Sequence, residues 1–288
     1  MSLPMNLKKI SIAIYVLSLP VLFFQQEKEN RESVLTAVNP LRIVSLSPSI
    51  TRQIADLGAG NHLVGITEGA LRPELKSESV GSYMSPNLEK IISLRPDLVI
   101  ISEEDAYIQK APLLKQFGLR VVELGKNSDF ESMCANYKKL AAMIGQGETA
   151  EEKLAEYRAR LERIVKPAEP PGIVFLVSVK PLITVSEGAH VSSIISDAGG
   201  VNVSSKAKTA YPILSLESLL LSRADAIIVM NREDVDHLYV LIRGFSNTDF
   251  AMNNNIFTTG DEIIPYYTPH DYTVSVEKIA SIIGRIKR

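Results

Sequence analysis

The chain has 288 residues, 45% of them hydrophobic, and a formal net charge of −2 at pH 7. That length can bury one large core or two modest ones, and the near-balance of charges leaves no basic field to hold nucleic acid. Cys134 is the single cysteine, which excludes an internal disulfide and a cysteine-based zinc cage.

At the start of the chain, Lys8 and Lys9 precede an apolar run from Ile10 to Phe24, which polar Gln25, Gln26 and Glu27 close. This is the form of a secretory leader, and the run is short of the ~20 residues that span a membrane. Residues 1–26 are therefore expected to be an export signal and 27–40 a linker, with an uncleaved tether as the alternative. No cysteine follows the run, so a lipid anchor is not expected. The expected location is the periplasm.

Beyond the leader, brief β-branched apolar runs recur at Leu41–Leu46, Leu63–Ile66, Asp97–Ile101, Arg120–Leu124, Ile173–Val179 and Asp225–Val229. They lack alternation, as strands buried on both faces of a parallel sheet do. Helical segments such as Ser49–Leu57 and Phe130–Ile144 separate them, so the fold class is α/β with parallel-rich sheets. Gly58-Ala59-Gly60 and Gly199-Gly200 read as helix ends followed by turns. Between the halves, Leu154, Tyr157, Leu161 and Ile164 recur at helical spacing, and neither Gly nor Pro interrupts Thr149–Lys166. That segment predicts a stiff helix of roughly 25 Å. The domain reading is an N-terminal lobe over 41–146, a backbone helix over 147–167 and a C-terminal lobe over 168–288, with a ligand cleft between the lobes.

The two lobes repeat each other. Tyr83–Ile101 (YMSPNLEKIISLRPDLVII) matches Tyr211–Val229 (YPILSLESLLLSRADAIIV) at a constant offset of 128. The offset pairs Tyr83 with Tyr211, Glu89 with Glu217, Arg95 with Arg223 and Asp97 with Asp225. A weaker echo pairs Ile54–Gly58 with Ile195–Gly199. Asn87 and Ser215 are suited to cap short helices whose first turns carry Glu89 and Glu217. Tyr83 and Tyr211 precede these helices, which puts them at the mouth of the cleft. Ser47, Pro48 and Ser49 follow the first strand, where ligands meet parallel sheets. Glu103, Glu104, Asp105 and Tyr107 follow a later strand and either line the cleft or form a solvated acidic loop. Tyr266, Tyr267, His270 and Asp271 form a polar and aromatic cluster able to close the second lobe.

Four segments in order, Arg42–Thr51 (RIVSLSPSIT), Gly81–Ile100, Gly188–Asn202 and Tyr211–Leu220, resemble the helical-backbone periplasmic binding proteins of ABC importers for vitamin B12, ferric siderophores and haem. The resemblance covers nearly all of 41–288 and is nearest to the cobalamin-binding branch. It implies a small-molecule ligand in the cleft, with cobalamin first and haem or a ferric siderophore as alternatives. It also implies a monomer that docks on an inner-membrane permease dimer through Glu89 and Glu217, and Tyr83 and Tyr211 flanking the ligand. The ligand-binding set is then Ser47, Pro48, Ser49, Tyr83, Glu103, Tyr211, Tyr266, Tyr267 and His270. One departure is that the chain has no Trp, whereas B12 binders of this branch use tryptophans in the cleft.

No enzyme is expected, and no catalytic residue, metal ligand or cofactor is assigned. His62, His190, His237 and His270 show no i, i+4 pair, and neither His-Glu-x-x-His nor Gly-x-Ser-x-Gly occurs. Two further readings stand: a direct Zn or Mn receptor using His62, His190 and His270, and a ligand sensor without transport.

Overall fold

The computed structural model describes residues 41–288 except 71–73, 205–206, 208, 246–247, 261–265 and 288. The expected leader and linker lie outside the described residues. In chain order the elements are β1 (Ile43–Ser45), α1 (Pro48–Asp56), β2 (Leu63–Ile66), β3 (Glu78–Ser79), β4 (Gly81–Ser82), β5 (Ser85–Pro86), α2 (Leu88–Ser93), β6 (Leu98–Ser102), α3 (Ala111–Gln116), β7 (Val121–Leu124) and α4 (Phe130–Met143). The helix α5 (Gly147–Glu162) leads on to β8 (Gly172–Val179), β9 (Leu182–Thr184), α6 (His190–Asp197), β10 (Val201–Asn202), α7 (Leu216–Leu221), β11 (Ala226–Val229), α8 (Glu233–Ile242), α9 (Asp249–Met252), β12 (Ile256–Thr258) and α10 (Pro269–Ile283).

Two sheets form two cores. The first is ordered β3-β2-β1-β6-β7 and the second β10-β8-β11-β12, with β9 added antiparallel on β8. Every other ladder in the two sheets is parallel. Leaving aside the edge strand β3 and the antiparallel β9, both lobes place their first strand (β1, β8) centrally, with the next (β2, β10) on one side and the last two (β6-β7, β11-β12) on the other. Ile43, Val44 and Val99–Ile101 are fully buried in one sheet, as are Ile173–Leu176 and Ala226–Val229 in the other. That burial on both faces is why these strands read as continuous apolar runs.

The repeat has a structural meaning as well. Asn87 Oδ1 accepts the Lys90 N–H at 2.9 Å, and Ser215 Oγ accepts the Ser218 N–H at 3.0 Å, so both short helices are capped alike. Each helix then reverses through an arginine in the left-handed region, Arg95 at φ +45° and Arg223 at φ +53°. Two residues later, the Asp97 carboxylate accepts the Arg42 N–H at 2.8 Å, and the Asp225 carboxylate accepts the Gly172 N–H at 2.6 Å. These aspartates pin β1 beside β6 and β8 beside β11. The weaker echo also holds, since α1 and α6 are each followed by a glycine of positive φ, Gly58 at +73° and Gly199 at +90°. A Cβ on Gly199 would sit 2.7 Å from Pro167 Cδ.

The helix α5 starts at Gly147 and stops at Glu162, earlier than the expected Lys166. The Arg163 and Ile164 N–H groups turn back to the Arg160 and Leu161 carbonyls, and the residue before Pro167 is disfavoured in helical conformation. Its sixteen residues span roughly 24 Å. Leu154 and Tyr157 are buried, while Leu161 and Ile164 are half-buried at its end. Its anchors reach both lobes. The Tyr157 hydroxyl and Lys153 Nζ reach Asp56 on α1 at 3.0 and 3.1 Å, and Arg160 makes a two-pronged bond to Glu277 on α10 at 2.9 and 2.7 Å. Among the described residues, no helix is long and apolar enough to cross a membrane.

Candidate ligand cleft

The cleft is built where parallel strands end. After β1, Ser47 holds extended backbone (φ −119°, ψ 128°) and Pro48 begins α1, where a missing N–H costs nothing. The Ser47 carbonyl accepts the Thr51 N–H and the hydroxyls of Ser45 and Thr51, which fixes the turn. After β6, Asp105 folds back to accept the Ser102 N–H at 2.7 Å and lies beside the Ser47 hydroxyl. Glu104 accepts from Ser102 Oγ, the Asn127 N–H and, at 3.1 Å, Asn127 Nδ2. Asn127 Oδ1 in turn accepts from Asn136 Nδ2 at 2.9 Å, so the floor of the cleft is a connected polar network.

The third wall is the segment leading into α10, and α1 holds it. The Tyr267 N–H donates to Ser49 Oγ at 3.1 Å, and Gln53 Nε2 donates to the Tyr267 carbonyl at 2.9 Å. Arg52 donates from Nε and Nη2 to the two oxygens of Asp271 at 2.8 and 2.5 Å, and its guanidinium lies 4.2 Å from the centre of the Tyr266 ring. Ser49, Arg52 and Gln53 are one turn of α1 and share a face. One helical turn of the N-terminal lobe therefore grips a strap that belongs by sequence to the C-terminal lobe.

These elements enclose a cavity of about 300 Å³. Ser47, Pro48, Ser49 and Gly69 line one side, Glu104 and Asp105 the floor, and Tyr83, Tyr266 and Tyr267 supply aromatic surface. Tyr211 lies outside this lining, close enough to Tyr267 to influence its phenol, and is 43% exposed against 44% for Tyr83. Two of the expected ligand residues are not brought here. Glu103 is exposed outside the cavity, with its N–H on the Leu124 carbonyl. His270 lines a separate depression with Arg52, Asp56 and Asp271, because α10 turns it away from the cleft. Tyr107 packs on the N-terminal core instead of facing ligand. Gly69, Arg52 and Gln53 escaped the sequence reading. The i, i+3, i+4 spacing from Ser49 was the signal for the last two.

Burial pushes the Asp105 carboxyl up to about 6, against the hydrogen bonds from Ser102 and Ser47, and Glu104 adds to the rise. Burial also raises the Tyr267 phenol, and Tyr211, Glu104 and Asp105 reinforce it. At Asp271 burial acts upward too, but hydrogen bonds from His270, Arg52 and Thr268 outweigh it and hold the carboxyl at about 2. His190 packs behind Tyr267 with ring centres 4.4 Å apart. Among the described residues no three His, Cys, Asp or Glu side chains gather where they could hold a metal ion. His62, in a short helical turn before β2, His190 and His270 lie at different places. Glu89 and Glu217 are exposed in the first turns of α2 and α7.

Two parallel α/β lobes bridged by one stiff helix, with an aromatic and acidic cavity between them, define a bilobal solute-binding protein. The chain belongs to the Periplasmic binding protein family, whose model matches residues 43–263. A vitamin B12-binding protein of Vibrio campbellii is 29% identical over 191 residues, covering 65% of this chain and 69% of its own. The periplasmic vitamin B12-binding protein of Vibrio cholerae superposes with a TM-score of 0.71 at 22% identity, over 85% of this chain and 97% of that one. The periplasmic haem-binding protein of the same organism gives a TM-score of 0.74 at 21% identity, over 84% and 98%. At those identities the two structures speak for the fold.

Proposed function

We propose that this chain is the solute-binding component of an ABC importer, exported by its N-terminal leader, that carries cobalamin or a closely related corrinoid to an inner-membrane permease. The observation that carries this is the cavity between the lobes, with Tyr83 and Tyr211 at its rim and the Tyr266–Tyr267 strap as its wall. Cavities for small molecules run from ~300 Å³ upward, so this one takes an edge of a bulky chelate while the rest lies between the rim tyrosines. Rigid aromatic faces suit the flat surface of such a ligand. The B12-binding relatives supply the ligand's name. Exposed Glu89 and Glu217, at matching places on the two lobes, suit a two-fold partner whose halves present cations.

The test is titration calorimetry of the purified protein with cyanocobalamin, paired with the visible spectrum of protein isolated from its own host. Micromolar or tighter binding and a corrinoid spectrum are expected. A haem spectrum with no corrinoid binding would sink the cobalamin reading and leave the importer class standing.

A further inference from the structure

Among the described residues the charge lining the cleft has a single sign. Glu104 and Asp105 are the only charged side chains among the described residues that line it. Neither makes an ion pair among the described residues, and Arg52, the guanidinium that the described residues bring near, is spent on Asp271 and the Tyr266 ring. The donors that hold the two carboxylates are neutral: Ser102, Ser47 and Asn127. A half-buried pair of carboxylates with neutral partners keeps a negative potential. Their oxygens accept only, and each carboxylate has about four lone-pair sites, so capacity remains for donors from a ligand. Ser102 and Asn127, the latter held by Asn136, position Glu104, and the Ser102 N–H positions Asp105.

We propose that Glu104 and Asp105 are specificity determinants that make this cleft accept the amide or cationic edge of a chelate and reject the same edge when it carries carboxylates. The inference rests on the reading of the cleft as a solute site and deepens it, because it names which periphery of the ligand enters. An amide edge donates N–H groups to the floor. A carboxylate edge brings like charge against it without a counter-ion and leaves both sides unsatisfied. The discrimination therefore falls on propionate-bearing and hydroxycarboxylate chelates, not on metal identity.

The experiment titrates the full chain at pH 7.5 with two matched pairs. One pair is cyanocobalamin and the monocarboxylic acid made by hydrolysing one of its peripheral propionamides. The other is iron protoporphyrin IX and its dimethyl ester. The amide corrinoid should bind at least tenfold more tightly than its acid. If either porphyrin binds, the ester should exceed the free diacid. In Glu104→Gln and Asp105→Asn the corrinoid ratio should narrow to about threefold or less, and the wild-type ratio tests the proposal even if a variant fails to fold. Equal binding of cyanocobalamin and its acid would overturn the inference and leave the proposed function intact. Neither corrinoid binding while the ester outbinds the diacid would support the inference and overturn the cobalamin reading. Tight binding of the free diacid alone, or of none of the four, would overturn both. A ratio unchanged in both folded variants would place the discrimination elsewhere and reject the two residues.

Discussion

Replacing Arg52 with Ala should loosen the two lobes at one identifiable point. The Asp271 side chain is 5% exposed and the Arg52 side chain 23% exposed, and the two share a two-pronged bond. Removing one member of a buried pair leaves the other charged and unpaired, at a cost of ~3–5 kcal/mol. Partial exposure of Arg52 and the surviving Thr268 hydroxyl at 2.7 Å reduce this, so ~2–4 kcal/mol is expected at pH 7. The pH dependence gives an independent check. Asp271 sits at about 2 in the fold against 3.8 for the free group, so its contribution is present above pH 3.8 and lost as pH falls through 2. The shift corresponds to roughly 2 kcal/mol. Urea unfolding of wild type and Arg52→Ala at pH 7 and pH 3 measures both. The gap between the proteins should be widest at pH 7 and shrink toward pH 2. A loss below ~0.5 kcal/mol at pH 7 would mean that the strap is held by its backbone bonds to Ser49 and Gln53 and not by the ion pair.

Tyr83→Ala and Tyr211→Ala should each weaken cyanocobalamin binding by ~1–3 kcal/mol in calorimetry while the fold survives. Tyr211→Phe should lose less, since it keeps the aromatic face and removes only the hydroxyl; unchanged affinity in both alanine variants would refute the clamp. Glu89→Ala with Glu217→Ala should abolish transport into permease-bearing vesicles and spare ligand affinity, and normal transport would reject docking through these residues. Asp105, raised to about 6 from 3.8 by burial, lends the native state stability below pH 3.8 that is lost as pH rises through about 6. Asp105→Asn should flatten that fall, worth at most roughly 3 kcal/mol, in unfolding free energies between pH 4 and 7, and identical slopes for the two proteins would count against it.

Much of the architecture was written locally. The apolar runs ending at Leu46, Ile101 and Val229 have the form of strands in sheets covered on both faces, and the caps Asn87 and Ser215 announced the two equivalent short helices. Of the cleft, the parts adjacent to strand ends were legible: Ser47–Ser49 and the acidic loop. Glu103 and Glu104 are neighbours of the same charge, and composition does not say which one faces inward. The answer depends on Asn127, which arrives from beyond β7 to hold Glu104. His270 stands beside Tyr267 in the sequence, yet Thr268 caps α10 between them and the helix turns the imidazole to a different depression.

The sequence by itself determined the α/β class, the two-fold repeat, the bridging helix and the matching positions of Glu89 and Glu217. These follow from periodicity, capping chemistry and constant spacing, all of which act within a few residues or recur by duplication. Only the tertiary structure decided that one turn of α1 grips Tyr266–Asp271 across more than two hundred residues of chain, and that Arg52 is used up there. That leaves Glu104 and Asp105 without a cation among the described residues. A long-range ion pair leaves no periodic trace, because its two members are brought together by the packing of elements that are each specified for other reasons.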